Sequence, residues 1–162
     1  MSTKKKQQAS SNSIARNRRA HFDYELLERF EAGLCLLGWE VKSLRLGSAD
    51  LSDSYVRVRE GEAWLMGANI TPLPTVAAHE HADPSRTRKL LLHAQEISKL
   101  HVHTSRRGAT CIALSLYWRR GRVKCEVALA RGKKRHDKRE ATKERDWNRQ
   151  KQRLFASTNK GG

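Results

Sequence analysis

The sequence predicts a mainly β protein, a closed or nearly closed antiparallel barrel with a few short helices and a basic, helix-prone C-terminal tail. Three observations predict it. Apolar residues alternate with period two in several short runs, glycine-bearing loops of hairpin length separate them, and the chain beyond residue 130 is strongly cationic with little apolar content. Six or seven short strands with two short helices are best accommodated by a sheet that closes on itself, because closure removes exposed edges.

In chain order, residues 1–13 are polar, basic and free of aromatics, so they cannot offset the entropy of ordering and are expected to be disordered. Residues 14–130 form the body, opened by a basic arm. Residues 24–30 and 34–37, joined through Ala32-Gly33, read as a strand pair, although Leu26-Leu27-Glu28-Arg29 also suits a helix. Val41, Leu44 and Arg45 sit at helical spacing in a segment over 40–46 that Gly47 stops. Val56 and Val58 alternate, Gly61 turns the chain, and Trp64 and Met66 then alternate with Ala63 and Leu65, which predicts a hairpin. Residues 88–93 have the length of a strand. Ile97 and Leu100 mark a helix over 94–103 with Gly108 beyond its end. Ile112, Leu114, Leu116 and Trp118 predict one strand face, and Val123, Cys125, Val127 and Leu129 another, with Arg119-Arg120-Gly121-Arg122 as the loop between.

The tail, residues 131–162, differs in kind. Between 137 and 155 there is no Pro or Gly, and Lys, Arg, Glu and Gln favour helix. Trp147 and Leu154 are seven apart and share a face, but one thin stripe does not hold a helix against the body. The tail is expected to fold on a partner.

The chain has 162 residues and a net charge of +16. Residues 1–20 contribute +6, residues 131–162 contribute +8, and residues 21–130 only +2. A nearly balanced body therefore carries two cationic ends, and the partner implied is a polyanion, nucleic acid ahead of a membrane surface. A membrane binder would show an amphipathic helix with bulky apolar residues on one face, and neither end does. No apolar run approaches the roughly 18 residues of a membrane span, and no secretory signal is read at the N-terminus. Three widely spaced cysteines, Cys35, Cys111 and Cys125, fit a reducing cytoplasm better than a disulfide framework.

Two basic clusters carry the binding chemistry. Arg16, Asn17, Arg18 and Arg19 precede His21, and arginine forks suit phosphates and base edges. Lys133, Lys134, Arg135, His136, Asp137, Lys138 and Arg139 follow the last strand, where cations neutralise phosphates and His136 offers a flat ring. Arg86, Arg88 and Lys89, with Arg106 and Arg107, are candidates for one surface patch. Glu25 and Glu31 share parity on a strand. His79/His81 and His101/His103 have i, i+2 spacing but lack the Cys or carboxylate pattern of a zinc site. No phosphate-binding or nucleophile motif occurs, so neither a metal, a cofactor nor catalysis is expected.

Residues 14–24, Ile-Ala-Arg-Asn-Arg-Arg-Ala-His-Phe-Asp-Tyr, resemble the opening of the SmpB family, the bacterial tmRNA-binding proteins. So do Glu31-Ala32-Gly33, residues 40–45, 51–55, 61–65 and 88–93, and the run from Gly132-Lys133-Lys134 through Asp137-Lys138-Arg139. The departures are Trp39, where a small polar residue is usual, and Cys35. The resemblance implies an OB-like closed barrel with an unstructured tail that binds the tRNA-like domain of tmRNA and rescues ribosomes stalled on messages lacking a stop codon. It implies Arg16, Asn17, Arg18, Arg19, Glu31, Lys89 and Leu91 as tmRNA-facing residues, supported by Lys133 and Lys134. In the decoding centre and message channel it implies His136, Asp137, Lys138, Arg139, Trp147, Leu154 and Phe155. It also implies elongation factor Tu in the delivery complex, and a monomer is expected. A structural ribosomal or general RNA-binding protein fits the charge layout equally well. An RNA-processing enzyme using His136 and Asp137 fits poorly, because adjacent side chains point apart.

Overall fold

The computed structural model describes residues 12–77, 81–133 and 135–158. In chain order these form β1 (Ser13–Arg16), α1 (Ala20–Asp23), β2 (Tyr24–Leu34), α2 (Gly38–Arg45), β3 (Ala49–Asp50), β4 (Tyr55–Arg59), β5 (Glu62–Met66) and β6 (Asn69–Ile70). They continue with α3 (Pro74–Ala77), β7 (Arg88–Leu91), α4 (Ala94–Thr104), β8 (Ala109–Arg119), β9 (Arg122–Gly132) and α5 (Arg135–Thr158). The two hairpins turn as the sequence predicts. Glu60-Gly61 and Arg120-Gly121 both take positive φ at each position, 51° and 74° in the first and 50° and 74° in the second. That is the two-residue turn whose twist matches its flanking strands.

Seven strands pair in the order β1-β8-β9-β2-β7-β5-β4, antiparallel throughout, while β3 and β6 form a separate small ladder. The ladder does not return from β4 to β1, so the closed barrel is corrected to an open, curled sheet. β1 is four residues long, and the turn after it carries the chain into α1 before it can run beside β4. β4 comes to rest near α4 and β8 without pairing.

Three strand expectations are also revised. The pair over 24–37 is one continuous strand: Gly33 lies in the ladder opposite Lys124 and Leu91 rather than in a turn. The extra residue between Leu26 and Arg29 forms a bulge, which reverses the faces beyond it. Phe30 and Ala32 therefore enter the main core, while Glu25 and Glu31 do not share a face. A second bulge between Ala113 and Ser115 splits the expected face of β8. Ile112 and Leu114 pack with Ala20, Ala128 and Ala130 on the outer side. Leu116 and Trp118 belong to the main core with Val123, Cys125, Val127 and Leu129. Finally, the strand that follows the Gly61 turn ends at Gly67 (φ 73°), where an added Cβ would lie 2.5 Å from the Asp53 carbonyl oxygen, and the chain resumes as β6.

Both body helices form close to their expected limits. Glu40 accepts from the Leu37 amide (2.8 Å) at the start of α2, and Glu96 from the His93 amide (3.0 Å) at the start of α4. α2 buries Trp39 and Leu44, and α4 buries Leu100 and His103. α5 runs 24 residues, over the stretch whose composition favours a helix. It meets the body at α1, where the Arg145 guanidinium lies 5.3 Å from the Phe22 ring centroid. Trp147, Leu154 and Phe155 remain 57%, 68% and 73% exposed.

The tightest tie in the body is ionic. Glu40 and Arg88 are both fully buried and form an ion pair, and Arg86 Nη2 donates to the second Glu40 oxygen at 2.5 Å. Arg88 also donates to the carbonyls of Ala68 (2.9 Å) and Pro84 (3.0 Å). One guanidinium thus links α2, the β5–β6 turn, the loop before β7, and β7 itself. Burial pushes the Glu40 carboxyl up, but the Leu37 amide, Arg86 and Arg88 outweigh it and hold it below the ordinary carboxylate value. A lowered folded value means that Glu40 contributes stability above its unfolded pKa, and that this is lost as pH falls through the folded value. Glu40→Gln is predicted to cost about 3–5 kcal/mol in urea unfolding at neutral pH, because it strips the counter-charge from a buried arginine. The deficit should shrink in acid, and a loss that stays constant down to the acid transition would contradict the account.

Candidate nucleic-acid interface

The outer face of the sheet is assembled by strand register. Arg16 of β1 pairs with Ser115 of β8, Ser115 with Glu126 of β9, and Glu126 with Glu31 of β2. Two residues further along, Tyr117, Lys124, Gly33 and Leu91 succeed one another across β8, β9, β2 and β7. Lys89 of β7 then faces Trp64 of β5, and Trp64 faces Arg57 of β4. Partners across a ladder project to the same side, so these side chains share one surface.

Glu31 is the fixed point of that surface. The Tyr117 hydroxyl donates to its Oε2 at 2.5 Å, and Arg119 Nη1 donates to both oxygens at 2.8 Å. The Tyr117 hydroxyl, and after partial burial the Arg119 guanidinium, set the balance that holds the Glu31 carboxyl below its ordinary range. Burial, and then this hydrogen bond, push the Tyr117 phenol up. Glu31 is therefore ionised and held in place, with acceptor capacity left over for a ligand donor. Alongside it, Arg29 Nη1 lies 3.3 Å from Glu126 Oε1. Leu91 is 52% exposed. Its approach depends on the glycine beside it, because a Cβ at position 33 would lie 3.2 Å from Leu91 Cβ.

The other expected residues take several roles. Arg16, Arg18 and Arg19 are exposed. Arg16 and Arg18 line a groove with His21, Arg29, Ser115 and Glu126. Asn17 is buried instead, its amide nitrogen donating to the Leu114 carbonyl (2.7 Å) and its Nδ2 to that of Ala113 (3.1 Å). It clamps the arm to β8 and so aims the arginines on either side. Lys89 donates to Glu62 at 2.8 Å, which raises its pKa. Lys133 donates through Nζ to the His21 carbonyl (2.9 Å) and through its amide to that of Asp23 (3.0 Å), stitching β9 to α1. Lys134 lies outside the described residues.

His136, Asp137 and Lys138 fall in the first turn of α5, and Arg139, Trp147, Leu154 and Phe155 are exposed further along it. The expected patch of Arg86, Arg88 and Lys89 is not formed, because Arg88 turns inward to Glu40 and Arg86 follows it. His103 is not a surface residue: it donates from Nε2 to the Ala130 carbonyl at 3.0 Å. His101 and His103 lie on a helix, where a spacing of two separates them in direction. His79 lies outside the described residues. Of the two residues that hold Glu31, Tyr117 is not singled out by the sequence and Arg119 reads there only as part of the hairpin loop, whereas it ends β8. The only sign of Tyr117 is that it has the opposite parity to the apolar residues around it on β8.

The family model described as "SmpB protein" matches residues 14–157. The chain belongs to the SmpB family. An SsrA-binding protein of Chromohalobacter salexigens is 58% identical, over 94% of this chain and 97% of the relative. Another, from Azotobacter vinelandii, is 53% identical over 96% and 98%. Among solved structures, a chain described as "tmRNA-SmpB: a journey to the center of the bacterial ribosome" is similar at a TM-score of 0.64 and 42% identity, covering 79% of this chain and 93% of that one. The match to the SmpB family model extends into α5. Among the described residues no cluster of His, Cys, Asp and Glu could hold a metal ion, and no helix is long and apolar enough to cross a membrane.

Proposed function

We propose that this chain binds the tRNA-like domain of tmRNA on the outer face of its sheet and brings it to stalled ribosomes for trans-translation. The observation that carries the reading is membership of the SmpB family over residues 14–157. The exposed arginines of the arm, Arg16, Arg18 and Arg19, attract phosphates, and Asn17 and Lys133 act from behind by fixing the arm and α1. Lys134, next in sequence to Lys133, adds a further positive charge. Glu31 accepts a hydrogen bond from a base amino group or a ribose hydroxyl, Lys89 faces the RNA with its charge shared with Glu62, and Leu91 packs on an exposed base. The curled sheet is used in the manner of an OB-fold, as a platform rather than a catalytic cleft, and the protein acts without enzymatic chemistry.

α5 is the second tool. It enters the decoding centre and the message channel left empty on a stalled ribosome. There His136 stacks on a decoding base with Asp137, Lys138 and Arg139 beside it, and Trp147, Leu154 and Phe155 serve as anchors while the cations neutralise ribosomal phosphates. The protein works as a cytoplasmic monomer, with elongation factor Tu in the delivery complex.

Two outcomes are predicted. Glu31→Ala raises the net positive charge yet weakens tmRNA binding about tenfold, the scale of a lost charge-assisted hydrogen bond; unchanged or tighter binding in a titration would mean that charge alone governs affinity. Cutting the chain after Lys134 keeps the Lys133 bonds to α1 and is predicted to spare tmRNA affinity while abolishing peptide tagging in a reconstituted translation system. Comparable loss of tmRNA binding would refute the division of labour.

A further inference from the structure

Beyond Lys89 the outer face runs on to the far edge of the sheet, to residues with no role in the account above. There Arg57, Arg59, Glu60, Glu62, Trp64 and Met66 line an open groove. Trp64 is half-buried, and its partners across the ladder are Arg57 on one side and Lys89 on the other. None of the cation–ring contacts among the described residues falls on Trp64. Lys89 is drawn aside to Glu62 at 2.8 Å, so the cation nearest in register is engaged elsewhere.

The charges of the groove decide what it suits. Two arginines stand against two glutamates in the lining, and because Glu62 is paired with Lys89, the groove and Lys89 together carry a surplus of one positive charge. One surplus charge set among two carboxylates makes a poor phosphate site. What the groove offers is a flat aromatic surface in nearly neutral surroundings, continuous with Lys89 and Leu91. Such a surface suits the π-face of an unstacked base, which every nucleotide presents. We propose that Trp64 is a stacking platform for one unpaired base of the tmRNA held on this face. The proposal rests on the tmRNA reading above and extends it to the β4 edge of the sheet.

The test titrates the full chain and its Trp64→Leu and Trp64→Phe variants against labelled tmRNA over a series of salt concentrations, with folding checked by circular dichroism. Trp64→Leu keeps apolar bulk but removes the ring, and binding is expected to weaken about tenfold. Trp64→Phe keeps a ring and should stay within about threefold. The slope of log affinity against log salt should be the same in all three, since no phosphate contact is lost. If Trp64→Leu binds like the parent while Glu31→Ala still binds weakly, the platform is overturned and the tmRNA reading stands. If the unaltered chain does not bind tmRNA, the reading itself falls and the platform with it. A changed salt slope in Trp64→Leu also overturns the proposal. Ultraviolet crosslinking of the unaltered chain to tmRNA decides the matter if Trp64→Leu does not fold: a nucleotide adduct on the Trp64 peptide supports the platform, and adducts confined to other peptides refute it.

Discussion

The Glu40–Arg88 ion pair is the constraint on which the arrangement of the sheet depends. β7 is only four residues long, yet it joins β2 to β5 and so connects the two halves of the outer face. Its first residue is a buried arginine held by a helix carboxylate and two loop carbonyls. With Arg88 locked inward, alternation turns Lys89 outward, Leu90 into the core and Leu91 outward again. The surface position of Lys89 and Leu91 is therefore a consequence of burying the residue before them. A buried ion pair of this kind is weak evidence for net stability, but it fixes register, and register is what the outer face requires.

On that face charge is largely cancelled. Glu31 answers Arg119, Glu126 answers Arg29, and Glu62 answers Lys89. The unbalanced charge lies in the arm and beyond β9, in agreement with +6 and +8 at the ends against +2 between them. In the function proposed above, the ends attract a polyanion and the face distinguishes one polyanion from another by shape and placed donors and acceptors. Glu31 illustrates it: a carboxylate opposes phosphate, but one fixed by Tyr117 and Arg119 keeps acceptor capacity at a set place on the face.

Much of this was legible in the sequence because it is local. Both tight hairpins, the two body helices and the long cationic helix follow from glycine placement, apolar spacing and helix propensity. The two bulges were not legible, since apolar residues continue at both parities across residues 112–116 and nothing in the composition marks where β2 gains a residue. Those bulges decide which side Ile112 and Glu31 occupy. Arg88 reads as surface charge in isolation, and only the fold brings Glu40 to it from 48 residues away. Asn17 and Lys133 read in the sequence as RNA-facing residues, and in the fold their hydrogen bonds hold the arm to β8 and β9 to α1.

The function proposed for this chain needs two separate RNA-reading parts, a fixed sheet face and an exposed helix. Hydroxyl-radical footprinting of the side chains tests it most directly, first with tmRNA and then with stalled ribosomes added. The account requires Leu91 and Tyr117 to become protected by tmRNA alone, while Trp147, Leu154 and Phe155 stay reactive until the ribosome is present. Protection of the helix residues by tmRNA alone, or an outer face that stays reactive in the complex, would contradict it.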